Sequence, residues 1–278
     1  MKRLGQHFLK NKSAIKKIID ALDLKSGDTI IEVGAGHGEL TEVIRVSGIG
    51  YRILAIEKDK RLANLLKEKF GGDRRIKIIE GDALKILKSP PMPHTLNPKP
   101  YKLVGNIPYY ITGRLLRILS ELPKKPEICV LTLQKEVSER IVAKPPRMNR
   151  LAAIAQFWAE PKIISVISKE DFEPQPEVDS AIVKLETRKQ KIESRSEDLR
   201  YYATVRMLFA QPRKTILNNL LSDKRQGTGN KETIVKSLGN LNINPNDRPQ
   251  NLNIEDIQKI SRVEWQKETQ SQPQRNFQ

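Results

Sequence analysis

The sequence of 278 residues has one cysteine, three histidines and only 5% aromatic residues. Cys129, standing alone, can neither close an intrachain disulfide nor build a cysteine-based zinc site. Its place in the apolar run Ile128 to Leu133 marks it as a buried thiol. His7, His37 and His94 have no carboxylates spaced around them as metal ligands would be, so no metal centre is expected. Long hydrophobic runs are missing too: nothing approaches the roughly 20 apolar residues that a membrane-spanning helix needs. The first ten residues, MKRLGQHFLK, are basic without an apolar stretch behind them and do not read as a secretory signal. A cytoplasmic protein without membrane contact is expected.

Negative charge is also in short supply. Lys and Arg number 50 against 33 Asp and Glu, a formal net charge of +17. The excess is not a tail, because 33 basic and 23 acidic residues precede Arg188 and 17 basic and 10 acidic residues follow from it. A surface this basic concentrates polyanions, and nucleic acid is the commonest of them inside a cell. A lysine-rich, solvated surface is the bland alternative. Charge therefore nominates RNA or DNA as a partner without choosing an activity.

Short apolar runs alternate with amphipathic segments through the first two thirds of the chain. Strands are predicted at Thr29 to Val33, Arg52 to Ile56, Ile76 to Ile79, Tyr101 to Gly105 and Ile128 to Leu133. Between and after them, helices are predicted at Glu39 to Val46, Lys60 to Phe70, Gly113 to Leu122 and Lys135 to Ala143. This alternation specifies a doubly wound α/β fold with a mostly parallel sheet covered on both faces. Two late strands, Ile163 to Ile167 and Ala181 to Leu185, follow, joined by a proline-stiffened loop; from about Ser194 the pattern is helical throughout. The expected organisation is a catalytic α/β domain over residues 1–190, a smaller all-α domain over 191–268 and a disordered tail over 269–278. Five prolines make Ser89 to Pro100 an exposed loop.

Four strand ends carry the chemistry. Glu32-Val33-Gly34-Ala35-Gly36-His37-Gly38 ends the first strand and opens a helix, and its glycines let backbone amides approach a ligand closely. The spacing is G-x-G-x-G, not the G-x-G-x-x-G that seats a pyrophosphate, and Glu39 would oppose a diphosphate. S-adenosyl-L-methionine, which has no phosphates, fits better than NAD. Glu57 ends the second strand and is a candidate acceptor for ribose hydroxyls. Asp82 ends the third, as an acceptor for an adenine amine or as a helix cap. At the end of the fourth, Asn106-Ile107-Pro108-Tyr109 offers a side-chain amide oxygen and a backbone carbonyl to accept the two N–H groups of an adenine amine, and a ring to stack on the base. Pro108 fixes the turn and has no N–H to compete. As an isolated tetrapeptide it would be an ordinary loop signal.

Together with Gly5-Gln6-His7-Phe8-Leu9, Leu133-Gln134-Lys135-Glu136 and the segment Phe172-x-Pro-x-Pro-x-Val-Asp-Ser, these motifs resemble the ordered set of the ribosomal RNA adenine dimethyltransferase family, most closely its bacterial small-subunit branch. The likeness runs from about Leu4 to Leu221. It implies a Rossmann-like, S-adenosylmethionine-dependent enzyme that dimethylates two adjacent adenines in the 3′-terminal hairpin loop of small-subunit ribosomal RNA, within an assembling 30S particle. It also implies cofactor contacts at His7, Leu9, Gly34, Gly36, Glu57, Asp82 and Asn106, and base stacking by Tyr109 and Phe172. A monomer is expected. Arg140, Lys144, Arg147 and Arg150, read as later residues of the helix that begins at Gln134, are candidate phosphate contacts. Arg213 and Lys214 are further ones, although Pro212 stands where the family carries a basic residue, and is expected to start a helix. Rival readings are a large-subunit adenine methyltransferase of the macrolide-resistance type, a non-catalytic RNA- or DNA-binding factor, and an NAD oxidoreductase.

Overall fold

The apolar runs of the first part assemble side by side because each is too hydrophobic to leave either face in water. In the computed structural model, residues 6–47, 50–88, 100–188, 195–222 and 230–263 are described. The expected loop at Ser89 to Pro100, apart from Pro100, lies outside them, as do His94, the 189–194 linker and the 269–278 tail. In chain order the described elements are β1 (Phe8–Leu9), α1 (Lys12–Ala21), β2 (Thr29–Val33), α2 (Glu39–Val46), β3 (Arg52–Glu57), α3 (Lys60–Phe70), β4 (Ile76–Glu80) and α4 (Ala83–Ile86). There follow β5 (Tyr101–Asn106), α5 (Thr112–Glu121), β6 (Ile128–Gln134), α6 (Lys135–Val142), α7 (Arg150–Trp158), β7 (Ala159–Ile167), β8 (Phe172–Glu173) and β9 (Ser180–Thr187). The last helices are α8 (Arg195–Leu208), α9 (Ile216–Ser222), α10 (Lys231–Asn240) and α11 (Ile254–Ser261).

One seven-stranded sheet has the order β4-β3-β2-β5-β6-β9-β7. The pairs from β4 through β6 are parallel, whereas β9 runs antiparallel to both β6 and β7. Every residue of β2 is buried, as an inner parallel strand requires. Ile30, Ile53, Val104 and Val130 belong to a core that also takes Ala14, Ile15 and Ile18 from the apolar stripe of α1. Their neighbours Ile31, Val33, Leu103 and Leu131 are buried on the opposite face. Lys102, on β5 and 2% exposed, pairs with Asp28 at 2.8 Å and donates to the Asp23 carbonyl. Cys129 is fully buried, and burial pushes its thiol up from the ordinary range.

The chain divides into two compact units, Met1–Val142 with Ile154–Lys191, and Ala143–Ala153 with Ile192–Gln278. The second is helical among its described residues, with Val205, Leu208, Leu220, Leu238 and Ile257 in its interior. Residues 143–153, which the sequence reading kept with the α/β part, group with the helices. Two hydrogen bonds give the reason: Tyr201 Oη donates to the Ala153 carbonyl at 3.0 Å, and Met148 N to the Gln250 carbonyl at 3.1 Å. Helix α7 carries no signal in the pattern because it lacks a polar face, with Ala152, Ala153, Ala155 and Trp158 all buried.

Candidate functional site

From β2 the chain turns to β3 on one side of the sheet, while β5 lies on the other, so the loops after β2 and β5 diverge. Open α/β sheets bind ligands in the crevice such a switch creates. Here it is a cleft of about 840 Å³, including its open mouth, in the α/β unit. Gly34 and Gly36 line it with φ of +72° and +60°, backbone that side-chain-bearing residues rarely adopt. A Cβ on Gly36 would also come within 3.0 Å of the Phe8 ring. That ring packs on His37 with centroids 4.2 Å apart, so His37 supports the loop through Phe8.

Glu57, 2% exposed, organises the loop from below with both of its oxygens. Oε2 accepts the Gly36 N–H at 2.9 Å and Oε1 the Asp59 N–H at 2.8 Å. A carboxylate offers about four lone-pair sites, so each oxygen keeps one for a ligand hydroxyl. Asp82 performs the capping role that the sequence left open, since its Oδ1 accepts the Leu84 N–H at 3.0 Å at the start of α4. Its Oδ2 accepts from Lys58 Nζ at 3.1 Å. Burial opposes its ionisation, but the Lys58 and Leu84 bonds outweigh burial and hold the carboxyl below the usual carboxylate range. Glu32, 1% exposed, accepts from Thr41 Oγ1. Burial, against the Thr41 bond and with the Glu39 and Glu57 charges, raises it from 4.5 to about 8.

Asn106 ends β5 and lines the cleft. Its Nδ2 donates to the His7 carbonyl at 2.6 Å. A carbonyl can only accept, so this bond commits Nδ2 and leaves Oδ1 as the acceptor of the amide. Oδ1 takes no hydrogen bond among the described residues. Ile107, Pro108 and Tyr109 line the same cleft. Ile107 N–H donates to the Thr132 carbonyl at 3.2 Å, tying the turn to β6. The Tyr109 hydroxyl meets Ser180 Oγ at 3.0 Å, and its ring stacks on His7 at 5.8 Å and 25°. Burial, against the Ser180 bond and with the Asp179 charge, raises the phenol above its ordinary value. His7 Nδ1 donates in turn to the Pro174 carbonyl at 2.7 Å.

Of the residues singled out from sequence, His7, Gly34, Gly36, Glu57, Asp82, Asn106, Ile107, Pro108 and Tyr109 line one cleft. Leu9 does not: it is 4% exposed and borders a smaller adjoining cavity with Gly34, Gly36 and Asn106. Phe172 corrects the expectation of an exposed stacking ring. It is 5% exposed, pairs opposite Leu9 in the β1–β8 ladder, and belongs to the hydrophobic core. The expected basic helix is also interrupted. Arg140 lies on α6, but that helix ends at Val142, Lys144 and Arg147 occupy a turn, and Arg150 opens α7. Pro145 and Pro146 have no N–H to continue the helix. Pro212 likewise starts no helix: residues 211–214 form an exposed turn and α9 begins at Ile216. Arg213 and Lys214 are exposed on that turn.

Sequence reasoning missed several residues around these groups. Lys58 and Tyr110 both line the cleft, and each directly follows a residue that was singled out. Asn219, 2% exposed, holds the basic turn: its Oδ1 accepts the Gln211 N–H, and its Nδ2 donates to the carbonyls of Gln211, Lys214 and Thr215. No pattern in the sequence marks it, because an asparagine inside a short helix normally signals a cap or turn. Among the described residues, no group of three or more His, Cys, Asp or Glu could hold a metal ion, and no helix is long and apolar enough to cross a membrane.

The chain has well-matched relatives. A family model described as ribosomal RNA adenine dimethylase matches residues 1–263. The ribosomal RNA small subunit methyltransferase A of Dehalococcoides mccartyi (strain CBDB1) is 40% identical over 261 residues, 93% of this chain and 86% of that protein. The protein of the same name from Bacillus pumilus is 33% identical over 267 residues, 94% of this chain and 90% of that one. Among solved structures, a dimethyladenosine transferase from Plasmodium falciparum matches with a TM-score of 0.73 at 27% identity, covering 91% of this chain and 96% of the other. The extent of the family match and of the identity to these relatives gives the conclusion that the chain belongs to the ribosomal RNA adenine dimethylase family.

Proposed function

We propose that this protein is an S-adenosylmethionine-dependent enzyme that dimethylates the 6-amino groups of two adjacent adenosines in the 3′-terminal hairpin loop of small-subunit ribosomal RNA. Its partner is the assembling 30S particle, on which it acts as a cytoplasmic monomer. The observation that carries the reading is the amide of Asn106, clamped through Nδ2 by the His7 carbonyl and with Oδ1 uncommitted, on a residue that lines one cleft with a glycine loop and Tyr109.

The cleft suits the cofactor. Bare glycine backbone at Gly34 and Gly36 and the two carboxylates Glu57 and Asp82 line it together. Glu57 would hold the ribose hydroxyls and Asp82 the adenine amine of the cofactor; when bound, S-adenosylmethionine supplies a methyl group made electrophilic by its sulfonium. The chain's own contribution is positioning. Asn106 Oδ1 and the Ile107 carbonyl accept the two N–H groups of the target amine, drawing its nitrogen toward tetrahedral geometry, and the Tyr109 ring stacks on the base. An alkylated amine loses its proton to water unaided, so these residues need not include a general base. In the helical unit, Lys144, Arg147, Arg150, Arg213 and Lys214 would contact phosphates, with Arg140 adding a contact from the α/β unit.

The test is to incubate the protein with methyl-labelled cofactor and under-methylated ribosomal subunits, then digest the RNA. Label is expected as dimethyladenosine in the 3′-terminal hairpin of the small-subunit RNA. Label in large-subunit RNA would favour the macrolide-resistance type of activity, and RNA binding without label would favour a non-catalytic factor.

A further inference from the structure

The mouth of the cleft carries an aromatic residue that the positioning chemistry leaves unused. Tyr110 lines the cleft, yet 60% of its surface is exposed. Single exposed apolar residues are common on protein surfaces and need no explanation. Tyr110 differs from Val46, Leu65 or Val166 in two ways: it borders the cleft, and among the described residues it is the one aromatic in the set of exposed large apolar side chains.

Its surroundings are basic and open. Tyr110 sits in the 3₁₀ turn Tyr109–Ile111, which runs straight into α5, so Gly113, Arg114 and Arg117 follow on its face at helical spacing. All three are exposed. Arg117 is committed to Glu121 at 2.9 Å, whereas Arg114 makes no hydrogen bond or ion pair among the described residues. A Cβ built on Gly113 would meet nothing within 4 Å. The face thus offers a π-surface, a bare stretch of backbone and an uncommitted guanidinium within one helical turn, continuous with a cleft that the reading above assigns to an adenine. Single-stranded nucleic acid has the matching pattern, a base with a π-face on an anionic backbone.

We infer that Tyr110 and Arg114 form a subsite for the nucleotide next to the methylated adenine, with its base stacked on Tyr110 and its phosphate held by Arg114. Gly113 leaves room for the sugar between them. The inference rests on the RNA-methylation reading and deepens it. With two neighbouring adenines in the substrate, the one outside the pocket occupies Tyr110 while its partner is modified.

The experiment compares the full-length wild type with Tyr110→Ala, Tyr110→Trp and Arg114→Ala. Binding of under-methylated small subunits is measured across a salt series, alongside KM and kcat for methylation and the affinity for S-adenosylhomocysteine. Tyr110→Ala is expected to weaken small-subunit binding and raise KM about tenfold, the scale of one base–aromatic stack. It should leave kcat and S-adenosylhomocysteine affinity unchanged, and Tyr110→Trp should restore binding. Arg114→Ala should lower the slope of log affinity against log salt by about 0.7, one single-strand phosphate contact. If Tyr110→Ala binds subunits as the wild type does, or weakens S-adenosylhomocysteine by the same factor as RNA, the subsite is overturned. A wild type that methylates no ribosomal RNA overturns the underlying reading and the subsite with it.

Discussion

Replacing Glu57 with Gln separates what this carboxylate does for the loop from what it does for a ligand. Its two oxygens accept from two different backbone N–H groups, Gly36 at 2.9 Å and Asp59 at 2.8 Å. Glutamine has a single acceptor oxygen, so one of those donors must face an NH₂ group in a site only 2% exposed. A hydrogen bond to a charged acceptor contributes about 1.5–3 kcal/mol, and the stranded donor adds its desolvation cost. A loss of about 2–3 kcal/mol corresponds to a fall in Tm of roughly 5–10 °C for a unit of this size. The ligand effect is read separately, from the rise in Tm on adding S-adenosylhomocysteine. At 100 times Kd the ligand stabilises by about 2.7 kcal/mol, and a tenfold weaker Kd reduces that to about 1.4 kcal/mol at the same concentration. Differential scanning fluorimetry with and without ligand therefore reports both roles of Glu57→Gln. A variant that melts with the wild type would refute the loop argument, and one with a full ligand-induced shift would refute the ribose contact.

Three further outcomes follow from individual residues. Lys102→Ala removes the ion pair with Asp28 and leaves a cavity beside a central strand, and should cost about 2–5 kcal/mol in denaturant unfolding, while Lys102→Met should cost less because its side chain fills that space. Glu32 holds its proton in the folded state up to about 8 against 4.5 ordinarily, so between those values the folded chain binds more protons than the unfolded one and stability falls as pH rises. Glu32→Gln, which mimics the protonated form, should therefore gain on wild type in Tm across that window, with the difference levelling off above it; a pH-independent difference would contradict the assignment. Asn219→Ala removes four hydrogen bonds from the turn that carries Arg213 and Lys214 and should weaken small-subunit binding by about tenfold with cofactor affinity intact, about the net contribution of one such bond.

The parallel sheet was legible because its inner strands are apolar on both faces and its helices are amphipathic. Glu39–Val46 and Lys60–Phe70 fall where the periodicity puts them. Helix α7 was not legible, since an apolar helix without a polar face has no stripe to detect. The site was legible where chemistry sits at strand ends: Gly34, Glu57, Asp82 and Asn106 are far apart in sequence, and the sheet brings them to one rim. It was illegible where side-chain direction decides. The family likeness implies a Phe172 ring stacked on the base, but pairing of β8 with β1 turns that ring into the core. Period counting also ran the basic stripe through Pro145 and Pro146, where the helix had already ended. The His7–Asn106 bond joins residues 99 positions apart and has no local signature at all.

Asn106 is the residue on which methyl transfer at this cleft turns. Asn106→Ala removes the Oδ1 acceptor and the tie to His7 while leaving Glu57, Asp82 and the basic turns in place. Single-turnover methylation of under-methylated small subunits should slow by about 100-fold or more, the scale for deleting one preorganised polar contact at a reacting centre. Affinity for the subunit should stay close to wild type, and the slowing should persist at saturating S-adenosylmethionine, where a weakened cofactor contact no longer limits the rate. Methylation at an undiminished rate by Asn106→Ala would contradict the claim that this amide grips the target amine.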